Sequence, residues 1–413
     1  MRNIYTGIDI GSDSIKVVTG EYVNEKFNVL ASCTTPSNGV RRGMIVDHGL
    51  AVESLKNAIK DVENILGMTI KKAIVTVPSY ERNLNVVESK IPVLGEVVTG
   101  YDVSKSLEET ITGKLKEDEE VVSVIPIMFT VDDTMHLVNP NGSKASELSV
   151  KALLATAPKK QIFDVLKVVN DAKIEVIDIT FGCIGDYYES RDTETDSQMG
   201  AIINIGNDKT EVSVFNKGIL IKNSIINLGS KNVDKDISYV YESDITTSRE
   251  LKEHFACASR RYADEKETVN IITGEGNTVT INQVNISEVV EARLEELLNL
   301  AKKEINNLTN REISYIIVTG GITEMTGFNS VVENTLGLNG RVHNATTPGI
   351  RDNKYTSATG ICKYFHDKMS LREREVSFVD DEDINQMMIN KKSMIELTDN
   401  TIISRIYGYF ANN

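Results

Sequence analysis

The alternation of apolar and polar positions divides the chain into recognisable blocks. Ile4 to Ile10 and Ile15 to Thr19 read as strands around a Gly11-Ser12-Asp13-Ser14 turn, with a third strand near Phe27 to Cys33. Leu50, Val52, Leu55, Ile59, Val62 and Leu66 recur at helical spacing, and Gly67 is a natural stop. Ala73 to Val77 is a short apolar strand ended by Pro78. From Asn83 to Ala157 the character changes. Strand-like runs (Val121 to Ile127, Leu148 to Leu154) alternate with a charged helical stretch (Ser104 to Leu115), which predicts an inserted subdomain. Pro158 opens a further helix, since proline suits a first helical position. Val290, Leu294, Leu297, Leu298, Ala301, Ile305 and Leu308 form one stripe of a long helix with Ser287 as its expected N-cap. Ile313 to Thr319 is a strand running into Gly320-Gly321. From Asp367 the pattern dissolves into charge, including Asp380 to Asp383, and reads as a linker before apolar periodicity returns at the end.

One pattern occurs twice. Residues 9–18 (DIGSDSIKVV) and 204–213 (NIGNDKTEVS) are both strand, glycine turn, strand, which suggests two related domains in one chain. With 413 residues, more than one core is expected in any case.

Composition narrows the function classes. The formal net charge of −15 repels polyanions, so no nucleic-acid partner is expected. The four cysteines and five histidines are scattered without metal-ligand spacing and predict reduced thiols and no His/Cys metal site. No window approaches ~18 consecutive apolar residues, so any membrane contact would be peripheral.

A turn of small residues presents several backbone N–H groups at once and can hold phosphate. Two such turns and a Gly-Gly after a third strand could clamp a nucleotide between domains. They are neither Walker nor Rossmann loops, because neither precedes a helix and no Gly-Lys-Ser/Thr is present. The two hairpins with Val318-Thr319-Gly320-Gly321 resemble the nucleotide motifs of the actin, Hsp70 and sugar-kinase superfamily. Within it, the chain is similar to the FtsA family along nearly its whole length. The similarity is carried by Ser37 to Asp47 (SNGVRRGMIVD), by Val124-Ile125-Pro126 with Phe129 to Asp132 and Asn139 to Gly142, and by Tyr355 to Gly360.

The resemblance implies an α/β, two-lobed actin-like fold with an inserted subdomain of FtsA type and a C-terminal amphipathic helix. Its expected parts are a first actin-like domain (1–82 and 346–366), the insert (83–160), a second actin-like domain (161–230 and 309–345), a small subdomain (231–308), a linker (367–400) and a membrane-targeting helix (401–413). It implies ATP and Mg as cofactors. Asp9, Gly11, Ser12 and Lys16 would serve the phosphates from the first lobe, with Asp9 near the Mg through water. Gly206, Asn207, Asp208, Lys209 and Thr210 would face them from the second. Gly229 would belong to the ribose-side turn, Arg249 and Lys252 to the nucleoside side, and Gly320 and Gly321 would approach the adenosine. No catalytic residue is expected, and at most a slow ATPase.

The chain departs from the family pattern at several of these positions. Asn204 stands where the family has an aspartate, Asn207, Asp208 and Ser230 where it has glycines, and Arg249 where it has a glutamate. An uncharged Asn204 holds a divalent cation or polarises water less well, so binding should survive more readily than hydrolysis.

At the C-terminus, Ile402, Ile403, Ile406, Tyr407, Tyr409 and Phe410 share one side of a helical wheel, with Arg405 on the other. Such a face suits insertion into a lipid interface. The resemblance implies a self-polymerising protein, forming head-to-tail filaments, that tethers the FtsZ ring to the cytoplasmic face of the cell membrane at the division site. Its partners would be the FtsZ C-terminal tail, a further copy of itself, membrane lipids and downstream division proteins. Arg293 is the expected contact for the acidic FtsZ tail. The competing expectations are a sugar-kinase-like phosphotransferase or other actin-superfold ATPase, and a pilus-assembly or rod-shape relative.

Overall fold

The computed structural model describes residues 3–380 and 382–384. Its first sheet grows from β1 (Asn3–Ile10), β2 (Ser14–Val23) and β3 (Lys26–Pro36), an antiparallel meander. The small hairpin β4 (Val40–Arg41) and β5 (Met44–Ile45) follows, then helix α1 (His48–Leu66) and β6 (Lys72–Val77). Both ends of α1 are set by local chemistry. The Asp47 carboxylate accepts from the Leu50 N–H, and Gly67 closes the helix in the left-handed region at φ 71°. The apolar stripe of α1, including Leu55, Ile59 and Val62, is buried against this sheet.

The insert comprises β7 (Asn83–Pro92), α2 (Gly100–Glu109), β8 (Glu119–Val131), β9 (Met135–Leu137) and β10 (Glu147–Pro158), with sheet order β7-β10-β8-β9. Its own core contains Val103, Leu107, Phe129 and Leu148. The helix expected at Ser104 to Leu115 starts earlier, where Thr99 and Asp102 form a capping box. Pro158 ends β10 and takes the N-cap position, one residue before α3 (Lys159–Asp171). Next, β11 (Glu175–Phe181) pairs with β6 in parallel, and helices α4 (Gly182–Ser190) and α5 (Thr193–Ser197) lead into the second half.

There, β12 (Met199–Ile205), β13 (Thr210–Asn216) and β14 (Ile219–Ile226) repeat the meander. Helices α6 (Lys231–Tyr241) and α7 (Ile245–His254), the hairpin β15 (Thr268–Ile272) and β16 (Thr278–Asn282), and α8 (Gln283–Leu308) form a subdomain. The chain then returns through β17 (Tyr315–Thr319), α9 (Phe328–Leu336) and β18 (Gly340–Val342) to helix α10 (Thr356–Leu371). The two large sheets read β3-β2-β1-β6-β11 and β14-β13-β12-β17-β18, the same meander followed by two parallel additions. The duplication read from residues 9–18 and 204–213 is therefore a duplication of topology.

Helices α4 and α10 cross between the halves with their backbones nearly touching. A Cβ on Gly360 would lie 1.7 Å from the Gly185 carbonyl oxygen, and one on Gly185 would lie 2.4 Å from that of Ser357. Only glycine permits this crossing.

Two expectations are corrected. Helix α8 begins at Gln283, capped by the Asn282 side chain. Ser287 lies inside it, buried, and its hydroxyl accepts from the Cys257 N–H. The described part of the expected linker, residues 367–380 and 382–384, is docked. Helix α10 continues to Leu371, and the Phe378 N–H donates to the Ile4 carbonyl. The Phe378 ring packs edge-on to Tyr5 at 5.4 Å, and Asp383 pairs with Lys71 at 2.9 Å. The proposed membrane residues Ile402, Ile403, Arg405, Ile406, Tyr409 and Phe410 lie outside the described residues. Among the described residues, no helix is long and apolar enough to cross a membrane.

Candidate functional site

The two glycine turns meet across a cleft between the sheets. In each, the glycine N–H donates to a carbonyl three residues on: Gly11 to Ser14 at 3.2 Å, Gly206 to Lys209 at 2.9 Å. A Cβ on Gly11 would lie 2.8 Å from the Ser14 carbonyl oxygen and 2.9 Å from Lys16 Nζ. The β4–β5 hairpin touches both turns. The Gly43 N–H donates to Ser12 Oγ (2.7 Å) and the Arg42 N–H to Asp208 Oδ2 (3.2 Å). The stretch Ser37 to Asp47 thus brackets the turns, a role its sequence does not disclose.

The third turn follows β17. Gly320 has φ 110°, and a Cβ there would lie 2.3 Å from the Ile205 carbonyl oxygen, so no other residue fits without displacement. Gly321 borders the same cleft. Two adjoining cavities of about 590 and 130 Å3 share Asp9, Lys16, Asn204, Gly206 and Ser357. Their size and their lining of glycine turns suit a phosphorylated nucleoside.

Asp9 accepts from the Thr76 hydroxyl at 2.9 Å and pairs with Lys16 at 3.4 Å. Lys209 stands 4.9 Å from the centre of the Tyr80 ring and 3.9 Å from Glu211. Arg249 reaches across the cleft and binds Asp13 through both terminal nitrogens, at 2.6 and 2.9 Å, while its Nε bonds Glu253. The hydrogen bonds to Asp13 hold the Arg249 guanidinium's protons more firmly than usual. Lys252 lines the larger cavity but is paired with Asp234 at 2.7 Å.

One expected residue is placed elsewhere. Thr210 is fully buried and its hydroxyl donates to the Leu228 carbonyl, so it is turned from the cleft. Gly229 packs against the second turn, where a Cβ would lie 2.4 Å from the Asn207 carbonyl oxygen, and the adjacent Ser230 borders the larger cavity. Arg293 stands on α8, borders neither cavity, and is engaged with Asp236 from α6 and with Glu296.

The residue missed from the sequence is Asp186, on α4. It is 1% exposed and borders the smaller cavity. Its Oδ1 accepts from Ser357 Oγ at 2.6 Å and its Oδ2 from Asn204 Nδ2 at 2.8 Å. Burial pushes its carboxyl up to about 7, against the opposing pull of these two hydrogen bonds. The only signal for it in the sequence is an acid among the small and apolar residues of Phe181 to Tyr188.

Comparison with known proteins matches these features. The family described as cell division protein FtsA matches residues 201–360, and the SHS2 domain inserted in FtsA matches residues 83–156. The chain is 26% identical to cell division protein FtsA of Bacillus subtilis (strain 168) over 381 residues, covering 91% of this chain and 87% of that one. It is 27% identical to cell division protein FtsA of Enterococcus hirae over 367 residues, covering 87% and 83%. Among solved structures it is similar to the PilM-PilN type IV pilus biogenesis complex (TM-score 0.57, 14% identity, 87% of this chain and 97% of that one). It is also similar to MreB5 of Spiroplasma citri bound to AMPPNP (TM-score 0.55, 13% identity, 89% and 97%). These likenesses show the actin-like fold. With the inserted domain in place and both halves of the duplicated sheet accounted for, the chain belongs to the FtsA family of bacterial actin-like cell division proteins.

Proposed function

We propose that this protein binds ATP with Mg between its lobes, self-polymerises, and tethers the FtsZ ring to the cytoplasmic membrane while helping to recruit later division proteins. The observation that carries the nucleotide reading is the pair of equivalent glycine turns facing one another, closed by a third turn at Gly320-Gly321. MreB5 of Spiroplasma citri, a neighbour in fold, was solved bound to AMPPNP, which supports the reading by analogy.

Backbone N–H groups of the turns, with Ser12, Lys16 and Lys209, would hold the phosphates. Arg249, Lys252 and the Gly320-Gly321 turn would border the nucleoside. Asp9 and the other acids of the smaller cavity would face the Mg, which supplies charge neutralisation when bound. Among the described residues no three acidic, histidine or cysteine side chains cluster closely enough to hold a metal directly. Mg keeps several of its waters, and the acids would hold it through them. Turnover is expected to be slow because Asn204 brings no charge. The tail at 401–413 would supply the lipid contact, and its single-copy affinity should be low enough that a polymer is needed for firm attachment.

Titration of the full chain with Mg-ATP tests the nucleotide reading. Saturable binding of one ATP per chain is expected, and absence of binding refutes it.

A further inference from the structure

Asp186 is a carboxylate in an expensive place. Its neighbours on α4 are Gly185, Ile184 and Tyr187, all buried, and among the described residues no lysine, arginine or histidine pairs with it. A buried acid without a cation is costly to retain, and such a residue in a cleft is a candidate for function. The other groups that face it are Asp9 from β1, Glu211 from β13 and the Cys183 thiol. From α10 it receives only the Ser357 hydroxyl. The cations of α10, Lys363 and Lys368, are taken by Glu189 and Asp178.

Asn204 and Asp186 are a matched pair. An aspartate at 204 would set two carboxylates about 2.8 Å apart, which like-charge repulsion forbids unless they share a proton. The amide removes the conflict and points its donors at the acid. We propose that Asp186 supplies, from α4 between the halves, a further carboxylate toward the Mg that accompanies the nucleotide, with Asn204 as its positioning residue. This rests on the nucleotide reading above. A purely structural tie between α4, β12 and α10 would use the same hydrogen bonds but would not affect Mg.

The test is calorimetric binding of ATP to the full chain, with Mg and with EDTA. In the native protein Mg should strengthen ATP binding. Asp186→Asn should cut that gain by roughly 10- to 100-fold, as expected for loss of an outer partner of a metal, while binding in EDTA is not weakened, because the change removes a negative charge from the cavity. The double exchange Asp186→Asn with Asn204→Asp should restore it, because it returns the charge to the cavity. Asn204→Ala, which keeps the acid, should lower the gain by a few-fold and gives a second reading if the first variant folds poorly. If Asp186→Asn folds and keeps the full Mg-dependent gain, or if Mg never strengthens native binding, the proposal is overturned while the nucleotide reading stands. If the native chain binds no ATP in either condition, both fall.

Discussion

Replacing Asp186 by asparagine should stabilise the nucleotide-free protein, and by more as pH rises. The carboxyl sits near 3.8 in the unfolded chain and is pushed to about 7 by burial in the fold. Between those values the native state binds more protons than the unfolded state, so the native chain loses stability as pH increases from about 4 to 7. The loss is fully absent below the lower value and complete above the upper one. Each pH unit in that window is worth about 1.4 kcal/mol, which gives a ceiling of about 4 kcal/mol at alkaline pH. Asparagine carries no such penalty. Its oxygen can accept from Asn204 Nδ2 and its amide can donate to Ser357 Oγ, whose hydroxyl is free to rotate. The assay is the thermal midpoint of both proteins without nucleotide at pH 5 and pH 8. Integrating over that interval, the variant's advantage should widen by about 2–3 kcal/mol. At about 2–4 °C per kcal/mol for a unit of 150–250 residues, the midpoints should separate by roughly 5–10 °C more at pH 8 than at pH 5. A separation that does not change with pH, or a variant less stable at both, would refute the assignment of a costly buried charge.

Other outcomes follow from the packing and from the proposed contacts. Phe378→Ala should lower stability by about 3–5 kcal/mol, measured by denaturant unfolding, because the ring is buried against Tyr5 and Phe365. A change within experimental error would mean the segment after Leu371 is a free linker after all. Gly320→Ala places a methyl group against the Ile205 carbonyl oxygen at a positive φ, and should weaken ATP binding and cost about 1–3 kcal/mol of stability. Arg293→Glu should abolish binding of an FtsZ tail peptide in a fluorescence anisotropy titration. Unchanged binding rules Arg293 out as the contact.

Much of the fold was legible because it is built from local signals. The hairpin at Gly11 and its counterpart at Gly206 have the same spacing of strand and turn, and the mirrored sheet order shows that this spacing was architectural. Helix α1 was readable from its stripe and from Gly67. What was hidden depended on partners distant in sequence. Asp380 to Asp383 look like solvated charge, yet Asp383 is buried and paired with Lys71, more than 300 residues earlier. Ser287 is a good cap by residue type, yet it lies inside the helix with its hydroxyl accepting from the distant Cys257 N–H, and Asn282 is the cap. The site divides in the same way. Gly11, Ser12, Gly206 and Gly320 announce turns by residue type. The Arg249–Asp13 bridge and the Asn204–Asp186 pair join segments that only the closed topology brings together.

The most direct test of the account is co-sedimentation with lipid vesicles, comparing the full chain with a form ending at Asn400, each with and without Mg-ATP. A tether predicts that only the full chain pellets, and that Mg-ATP increases the pelleted fraction by favouring assembly. If both forms remain in the supernatant at every protein concentration, with or without nucleotide, the membrane-tether function is contradicted.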